Sequence, residues 1–427
     1  MSRWGWELSR DASLLIVGQG VRAAGYGFTA VILGALLSAR GYGPVRAGLV
    51  LTAIIAGTAL ASLLVGAVAD RVGRRRCYGL FFLVVAVAGA VVGSGAPYWV
   101  LLVVGLSGAL STDVVDNGPA TTLEQVMLAA EDAGTAAVYG RYNAVGAAAG
   151  ALGALAAVLP GLAAHNAADG VRPWLFLVLV PVGLTGAGLA GQLSPAVEPA
   201  HAGEPARGVQ VWPRLGQSRP VVRRLAGLFA LDAAGGGLVT TGFLSYLFSQ
   251  RYGASVAALG GLFFAVAFTQ AVSVMLAPRL ARRFGLVPTM VGTHLPSNVL
   301  LASVAFAPSF PVAAALLLAR TTLSQMDVPT RQALVMSAVT PPERTAAAAV
   351  TNAARYTVRP LGPLVAGFIQ QDAFGAPLLI AALVKASYDL ALWRWARQLP
   401  LGSAPAAAVT PAPRQAPTTT ADPKEAS

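Results

Sequence analysis

Long apolar runs separated by short polar loops are the first pattern along this chain. They lie at about 13–39, 46–69, 78–95, 98–127, 136–163, 173–191, 225–249, 256–278, 286–306, 310–336, 345–369 and 374–396. Strict alternation, the mark of a half-buried strand, is missing from them. Crossing a bilayer core takes about 20 residues of helix, and most of the runs are at least that long. In lipid the backbone has to satisfy its own hydrogen bonds, so runs of this length predict helices. Gly118-Pro119 and Glu124 interrupt the fourth run. The expected fold is an all-α integral membrane protein with twelve transmembrane helices in two six-helix bundles.

Composition agrees with the pattern. Of the 427 residues, 56% are hydrophobic and 11% charged, against about 25% charged in soluble domains. The net charge of +12 would suit nucleic acid, but its placement follows topology. Arg3, Arg10, Arg71, Arg74, Arg75, Arg76, Arg214, Arg219, Arg223, Arg224, Arg279, Arg282, Arg283, Arg344, Arg394 and Arg397 fall in loops and tails on one side. Arg40, Arg46, Arg172 and Arg251 fall on the other. By the positive-inside rule both termini are cytoplasmic. The excess of Arg over Lys, with abundant Ala, Gly and Val, points to a bacterial inner membrane. Cys77 is the only cysteine, so no intramolecular disulfide is expected.

A polar, Pro-rich stretch at 192–222 reads as a cytoplasmic linker. It separates an N-terminal bundle (1–191) from a C-terminal bundle (223–400), and the low-complexity tail 401–427 reads as disordered. The bundles resemble each other. A shift of 210 lays Arg22-Ala-Ala-Gly25 on Asp232-Ala-Ala-Gly235 and Tyr42-Gly43 on Tyr252-Gly253. A shift of 212 lays Ala69-Asp70-Arg71-Val72-Gly73 on Ala281-Arg282-Arg283-Phe284-Gly285, and one of 214 lays Arg141-Tyr142 on Arg355-Tyr356. Pseudo-symmetric halves of this kind place a site at their interface.

Between the second and third runs stands Gly66-Ala-Val-Ala-Asp70-Arg71-Val-Gly73-Arg74-Arg75-Arg76. Gly66 would let two helices approach closely. Gly73 allows a tight turn, the arginines hold the loop in the cytoplasm, and Asp70 can cap a helix N-terminus or pair with a loop arginine. The spacing resembles the signature loop of the major facilitator superfamily, Gly-x-x-x-Asp-Arg-x-Gly-x-Arg-Arg. The resemblance extends over about residues 12–398. It implies a secondary transporter with no enzymatic activity, in which Gly66, Asp70, Arg71, Gly73, Arg74 and Arg75 form a conformational switch latching the outward-facing state. It also implies that Asp70 then sits near the start of the eleventh helix. The fifth helix carries Gly146, Gly150 and Gly153 but lacks the Gly-Pro signature of many drug-efflux antiporters of that superfamily. Gly362-Pro363 falls in the eleventh helix instead.

Ionisable side chains at membrane depth cost about 2.5–3.5 kcal/mol on insertion scales and mark function by default. Arg22 lies roughly 15 Å into the first helix, and its repeat mate Asp232 lies on the seventh, so the two could meet across a central cavity or bind the ends of a zwitterion. Asp113 and Asp116 are spaced to share a helical face on the fourth helix. Arg320, Asp327 and Arg331 make one stripe on the tenth, and Arg355 and Arg359 follow on the eleventh. Substrate or proton coupling is therefore assigned to Arg22, Asp113, Asp116, Asp232, Asp327, Arg331, Arg355 and Arg359. The alternative for Arg141, Arg320, Arg355 and Arg359 is structural pairing between helices. Lys385 and Asp389, four apart on the last helix, read as a structural pair. Desolvation favours a neutral carboxyl and a nearby arginine favours the carboxylate. An Asp that changes environment therefore takes up and releases a proton; Asp232 leads, with Asp116 and Asp327.

His165, His201 and His294 fall in a loop, the linker and an outer helix, so no metal set is expected. No nucleophile triad or phosphate-cradling loop is present. The expected partners are a small-molecule substrate, protons and the lipid bilayer. No nucleic acid and no cofactor are expected, and the protein is expected to be monomeric. Proton-driven efflux of a drug or small amphiphile, and a non-transporting sensor on the same fold, are the alternatives.

Overall fold

The computed structural model describes residues 8–113, 118–130, 136–162, 171–198, 215–340 and 343–396. The first half contains α1 (Arg10–Ala39), α2 (Pro44–Val72), α3 (Arg74–Gly93), α4 (Tyr98–Leu106), α5 (Pro119–Ala130), α6 (Ala136–Ala156), α7 (Val158–Leu162) and α8 (Leu179–Gln192), the last entered through a 3-10 turn at Pro173–Val178. The second half contains α9 (Arg219–Gly237), α10 (Thr241–Tyr252), α11 (Val256–Phe284), α12 (Leu286–Val304), α13 (Phe310–Ser324), α14 (Asp327–Ser337), α15 (Arg344–Val358), α16 (Leu361–Asp372) and α17 (Ala376–Ala396). Each predicted span has a helical counterpart. Eight helical stretches among the described residues are long and apolar enough to cross a membrane.

The predicted fourth, seventh, tenth and eleventh spans are broken near their middles. In the seventh, Gly235-Gly236-Gly237 weakens helix propensity; α10 then restarts with Thr240, whose hydroxyl accepts from the Phe243 amide at 3.3 Å. In the eleventh, Pro360 and Pro363 remove backbone donors around the join of α15 and α16. In the fourth, Gly108 takes φ +73° just after α4, where an added Cβ would lie 2.8 Å from the Gly57 carbonyl oxygen. The chain there turns against α2 instead of continuing as helix.

The two halves pack alike. α1 lies on α6 as α9 lies on α15; α3 lies on α8 as α12 lies on α17; α2 lies on α4 as α11 lies on α13. Gly73 and Gly285, 212 apart, join consecutive helices with φ +105° and +90°. Gly41 and Gly253, also 212 apart, both follow a helix with positive φ. The equivalence at the first loop is therefore 212, not the 210 that matched Tyr42-Gly43 to Tyr252-Gly253. Gly43 instead opens α2 in extended backbone. Large apolar side chains such as Leu63, Val87, Trp99, Phe268, Phe306 and Leu383 point outward, as a lipid-facing surface requires.

The halves meet at one end. The loop Gly73–Arg76 marks the basic end of the bundle; the α1–α2 loop marks the far end. Toward the far end α1 packs on α10, α2 on α16, and α6 and α7 on α11. Backbones touch there: a Cβ on Gly34 would lie 2.1 Å from the Gly242 carbonyl oxygen, and one on Gly48 would lie 2.4 Å from that of Pro363. Ser245 and Tyr246 donate to the Val31 and Tyr42 carbonyls at 2.6 and 2.8 Å, and Gln250 donates to the Ser38 hydroxyl at 3.0 Å. Toward the basic end, α9, α14 and α15 have their main packing on helices of their own half.

The start of the expected linker is folded. Residues 193–198 return to α3 through a 3-10 turn at Pro195–Val197, burying Val197. Glu198 accepts from the Arg74 and Arg75 amides at 2.8 and 3.1 Å, satisfying the N-terminus of α3. In the second half Glu343 does the equivalent, accepting from the amides of Gly216 and Ser218 just before α9.

Candidate functional site

Two clusters of buried charge occupy the middle of the bundle, one per half. In the first, Arg22 on α1 pairs with Glu124 on α5 at 2.9 Å, both side chains having no exposure. The guanidinium also donates to Thr121 at 3.0 Å and to Gln19. Tyr78 and Tyr142 donate to the two Glu124 oxygens at 2.6 and 2.5 Å. Both oxygens of this carboxylate are engaged by donors, so the first cluster fastens α1, α3, α5 and α6. The expectation that Arg22 meets Asp232 across the cavity is not realised, because each finds its partner inside its own half.

The second cluster is larger and less closed. Asp232 on α9 contacts Lys385 on α17 and Arg331 on α14, the latter at 3.3 Å. Arg331 also pairs with Asp327 at 2.8 Å, one turn earlier on α14, and lies over the Phe229 ring at 5.6 Å. His294 on α12 places Nε2 4.0 Å from Asp232 and hydrogen-bonds Asp389 through Nδ1 at 2.8 Å. Asn298 donates to Asp389 at 2.7 Å. The structural pair expected between Lys385 and Asp389 is replaced by Lys385–Asp232 and His294–Asp389. Their shared face on α17 looks onto both α9 and α12, so each side chain reaches a different neighbour.

Arg320 and Arg355 complete this cluster from α13 and α15. Both stand within electrostatic reach of Asp232 and Asp327. The break at Gln325–Met326 splits the expected stripe, leaving Arg320 on a different helix from Asp327 and Arg331.

Asp113 and Arg359 form an ion pair between the halves. Asp113 also accepts from the Thr241 amide at 3.1 Å, while the Gly242 amide donates to the Thr112 carbonyl at 2.8 Å. Thr52 donates to the Pro360 carbonyl at 2.8 Å and accepts from the Leu364 amide at 3.1 Å. Asp113 therefore belongs to the contact that closes the far end. It lies outside helix, and Asp116, expected to share a helical face with it, falls outside the described residues.

The switch loop stays within its own half. Asp70 is 49% exposed and accepts from Arg74 Nε at 2.8 Å along the same turn, and Gly66 has open space where a Cβ would stand. Arg75 donates to the Gly191 carbonyl at 3.3 Å. Glu124, Lys385, His294 and Asp389 were missing from the residues singled out for the site. Glu124 gave a signal as a charge inside an apolar run, and Lys385 with Asp389 as ionisable residues inside the last span.

Two like-packed helical halves, each with charge buried at its centre and an apolar outer surface, make a multi-pass membrane protein. The family model of the Major Facilitator Superfamily matches residues 15–363, and the chain belongs to that family. An uncharacterised membrane protein of Saccharomyces cerevisiae is 24% identical over 397 residues, 85% of this chain and 89% of that one. Among solved structures, the nucleoside transporter NupG superposes with a TM-score of 0.69 at 13% identity, over 90% of this chain and 98% of its own. The xylose transporter XylE from E. coli, in a partially occluded inward-open conformation, gives 0.65 at 14% identity over 90% and 99%. An auto-inhibited peptide transporter of the POT family gives 0.70 at 13% identity over 91% and 97%.

Proposed function

We propose that the chain is a secondary active transporter that carries a small solute across a bacterial inner membrane by alternating access, driven by protons. The observation that carries this reading is the asymmetry of the contact between halves: closed from the middle to the far end, parted toward the basic end. The positive-inside rule assigns the basic end, and with it both termini, to the cytoplasm. The structure then corresponds to the inward-facing state, and the Asp70 loop, held here by contacts within its own half, fits a latch that engages in the opposite state. A monomer suffices, since both halves are in one chain.

Asp232 is the proton carrier in this reading. It holds Lys385 and Arg331 on separate helices, α17 and α14. Adding a proton removes its negative charge, releases Lys385 and leaves Arg331 to Asp327 alone, so the hold of α9 on α14 and α17 responds to protonation. Asp327, which shares Arg331, is the second carboxylate of the relay.

The test uses everted vesicles with an imposed proton gradient, a pH-sensitive dye and a panel of solutes, comparing the unaltered protein with Asp232→Asn. A solute that collapses the gradient only with the unaltered protein is expected. Asp232→Asn should keep downhill exchange and lose uphill accumulation. Accumulation that survives the substitution would remove Asp232 from the coupling step.

A further inference from the structure

Cations exceed carboxylates at the centre of the second half. Arg320, Arg331, Arg355 and Lys385 stand against Asp232, Asp327 and Asp389. Lys385 and Arg331 are engaged by Asp232 and Asp327, and Asp389 is held by His294 and Asn298. The side chains of Arg320 and Arg355 have no hydrogen bond or ion pair among the described residues, and the Nε of each is buried with no acceptor. Arg22 and Arg359 differ: the first is held by Glu124, Thr121 and Gln19, the second by Asp113.

Both unpaired arginines are only half-buried, so part of each side chain stays accessible beside the Asp232–Asp327 cluster. Arg355 lies in addition within reach of two further cations, Arg331 and Arg359. A guanidinium offers five donors and no acceptor. Leaving donors unmet at membrane depth costs free energy, and crowding of like charge adds to that cost. An acceptor that carries negative charge relieves both at once through charge-assisted hydrogen bonds. A neutral sugar or amide supplies acceptors but no counter-charge, and a cationic solute makes the excess worse.

We propose that the transported solute is a small organic anion whose carboxylate or phosphate is bound by Arg320 and Arg355. This rests on the transporter reading of the same site and narrows it to one class of substrate. Asp232, held by Lys385 and Arg331, keeps its proton chemistry apart from the anion, which binds to the arginines that it leaves unengaged.

The test has two stages on the purified full chain. Thermal unfolding is followed with benzoate, glutarate and glycerol 3-phosphate, each beside its uncharged counterpart benzamide, glutaramide or glycerol. The same solutes are then assayed for counterflow in liposomes. We expect at least one anion to raise the unfolding midpoint and to exchange, while its uncharged counterpart does neither. Arg320→Gln and Arg355→Gln should each weaken the apparent affinity at least tenfold, and Arg→Lys at the same positions should restore much of it. Uncharged solutes binding as well as the anions, or Gln variants within twofold of the unaltered affinity, would overturn the anion assignment. So would the absence of any stabilisation by the three anions. Counterflow of an uncharged solute in those cases would leave the transporter reading intact, whereas Asp232→Asn behaving as the unaltered protein in the gradient assay would strike the coupling reading alone.

Discussion

Gly34→Ala should destabilise the state seen here without harming the helix that carries it. Gly34 lies inside α1, where alanine is the better helix former by about 1 kcal/mol. The obstacle is across the interface: the new Cβ would stand 2.1 Å from the Gly242 carbonyl oxygen and 2.5 Å from the Tyr246 amide nitrogen. Both are backbone atoms of α10, which cannot rotate away as a side chain can. Overpacking of this kind costs about 1–3 kcal/mol. The cost exists only while the far ends of the halves are in contact, so it shifts the balance toward the state in which they part. At a factor of ten per 1.4 kcal/mol, the closed population falls roughly five- to 150-fold relative to the open one. Ser38 and Gln250, in hydrogen-bond contact across the same interface at 3.0 Å, provide the readout. With Cys77→Ser, which removes the single cysteine, a Ser38→Cys/Gln250→Cys pair forms a disulfide on mild oxidation only when the far end is closed. Gly34→Ala should slow that cross-link at least fivefold. Gly261→Ala, at a glycine with no atom within 4 Å of its Cβ position, should leave it unchanged. Equal rates in the two variants, with both folded, would refute the assignment of the far end as a closing contact.

Glu124→Gln leaves Arg22 buried without its counter-charge and should cost about 3–5 kcal/mol, seen as a large loss of monodisperse protein on size exclusion. Adding Arg22→Met to it should recover much of the yield. Asp113→Asn removes an ion pair that is 25% exposed at Asp113 and 34% at Arg359; such pairs contribute about 0–1 kcal/mol, so cross-linking at the far end should slow by no more than about fivefold. Hydrogen bonds from Ser218 and the Gly216 amide hold the Glu343 carboxyl below its ordinary value of 4.5. The stability that it contributes is thus present above pH 4.5 and lost as pH falls through the lower folded value. Glu343→Gln should lower the unfolding midpoint more at pH 7 than at pH 3; an equal drop at both would contradict the sign.

Much of the fold is legible because lipid leaves few choices: an apolar run of sufficient length has to be helix, so all the predicted spans have helical counterparts. The breaks were harder to see. The glycine triplet at 235–237 and Pro360 with Pro363 were visible, but whether such residues end a helix depends on neighbours that supply the freed hydrogen bonds. The charges were legible as positions and not as partners. Helical spacing tells which side chains share a face, as it does for Lys385 and Asp389, and says nothing of what lies opposite. That is why Asp389 binds His294 from another helix. The expected meeting of Arg22 with Asp232 failed for a related reason. The packing of the halves is duplicated, but the partners within them are not: Glu124 takes Arg22, while Lys385 and Arg331 take Asp232.

The Arg22–Glu124 pair also sets an order of events during synthesis. Arg22 is translated 102 residues ahead of its carboxylate, which at about 5–20 residues per second is a wait of roughly 5–20 s. Through that interval the first helix has to remain with the membrane while bearing a guanidinium that disfavours insertion by about 2.5–3.5 kcal/mol. Gln19, one turn earlier on α1, is the acceptor that the nascent helix brings with it. The first helix thus becomes secure only when α5 emerges, and the assembly of this half has a built-in checkpoint in which an early segment is kept or lost according to what is made after it.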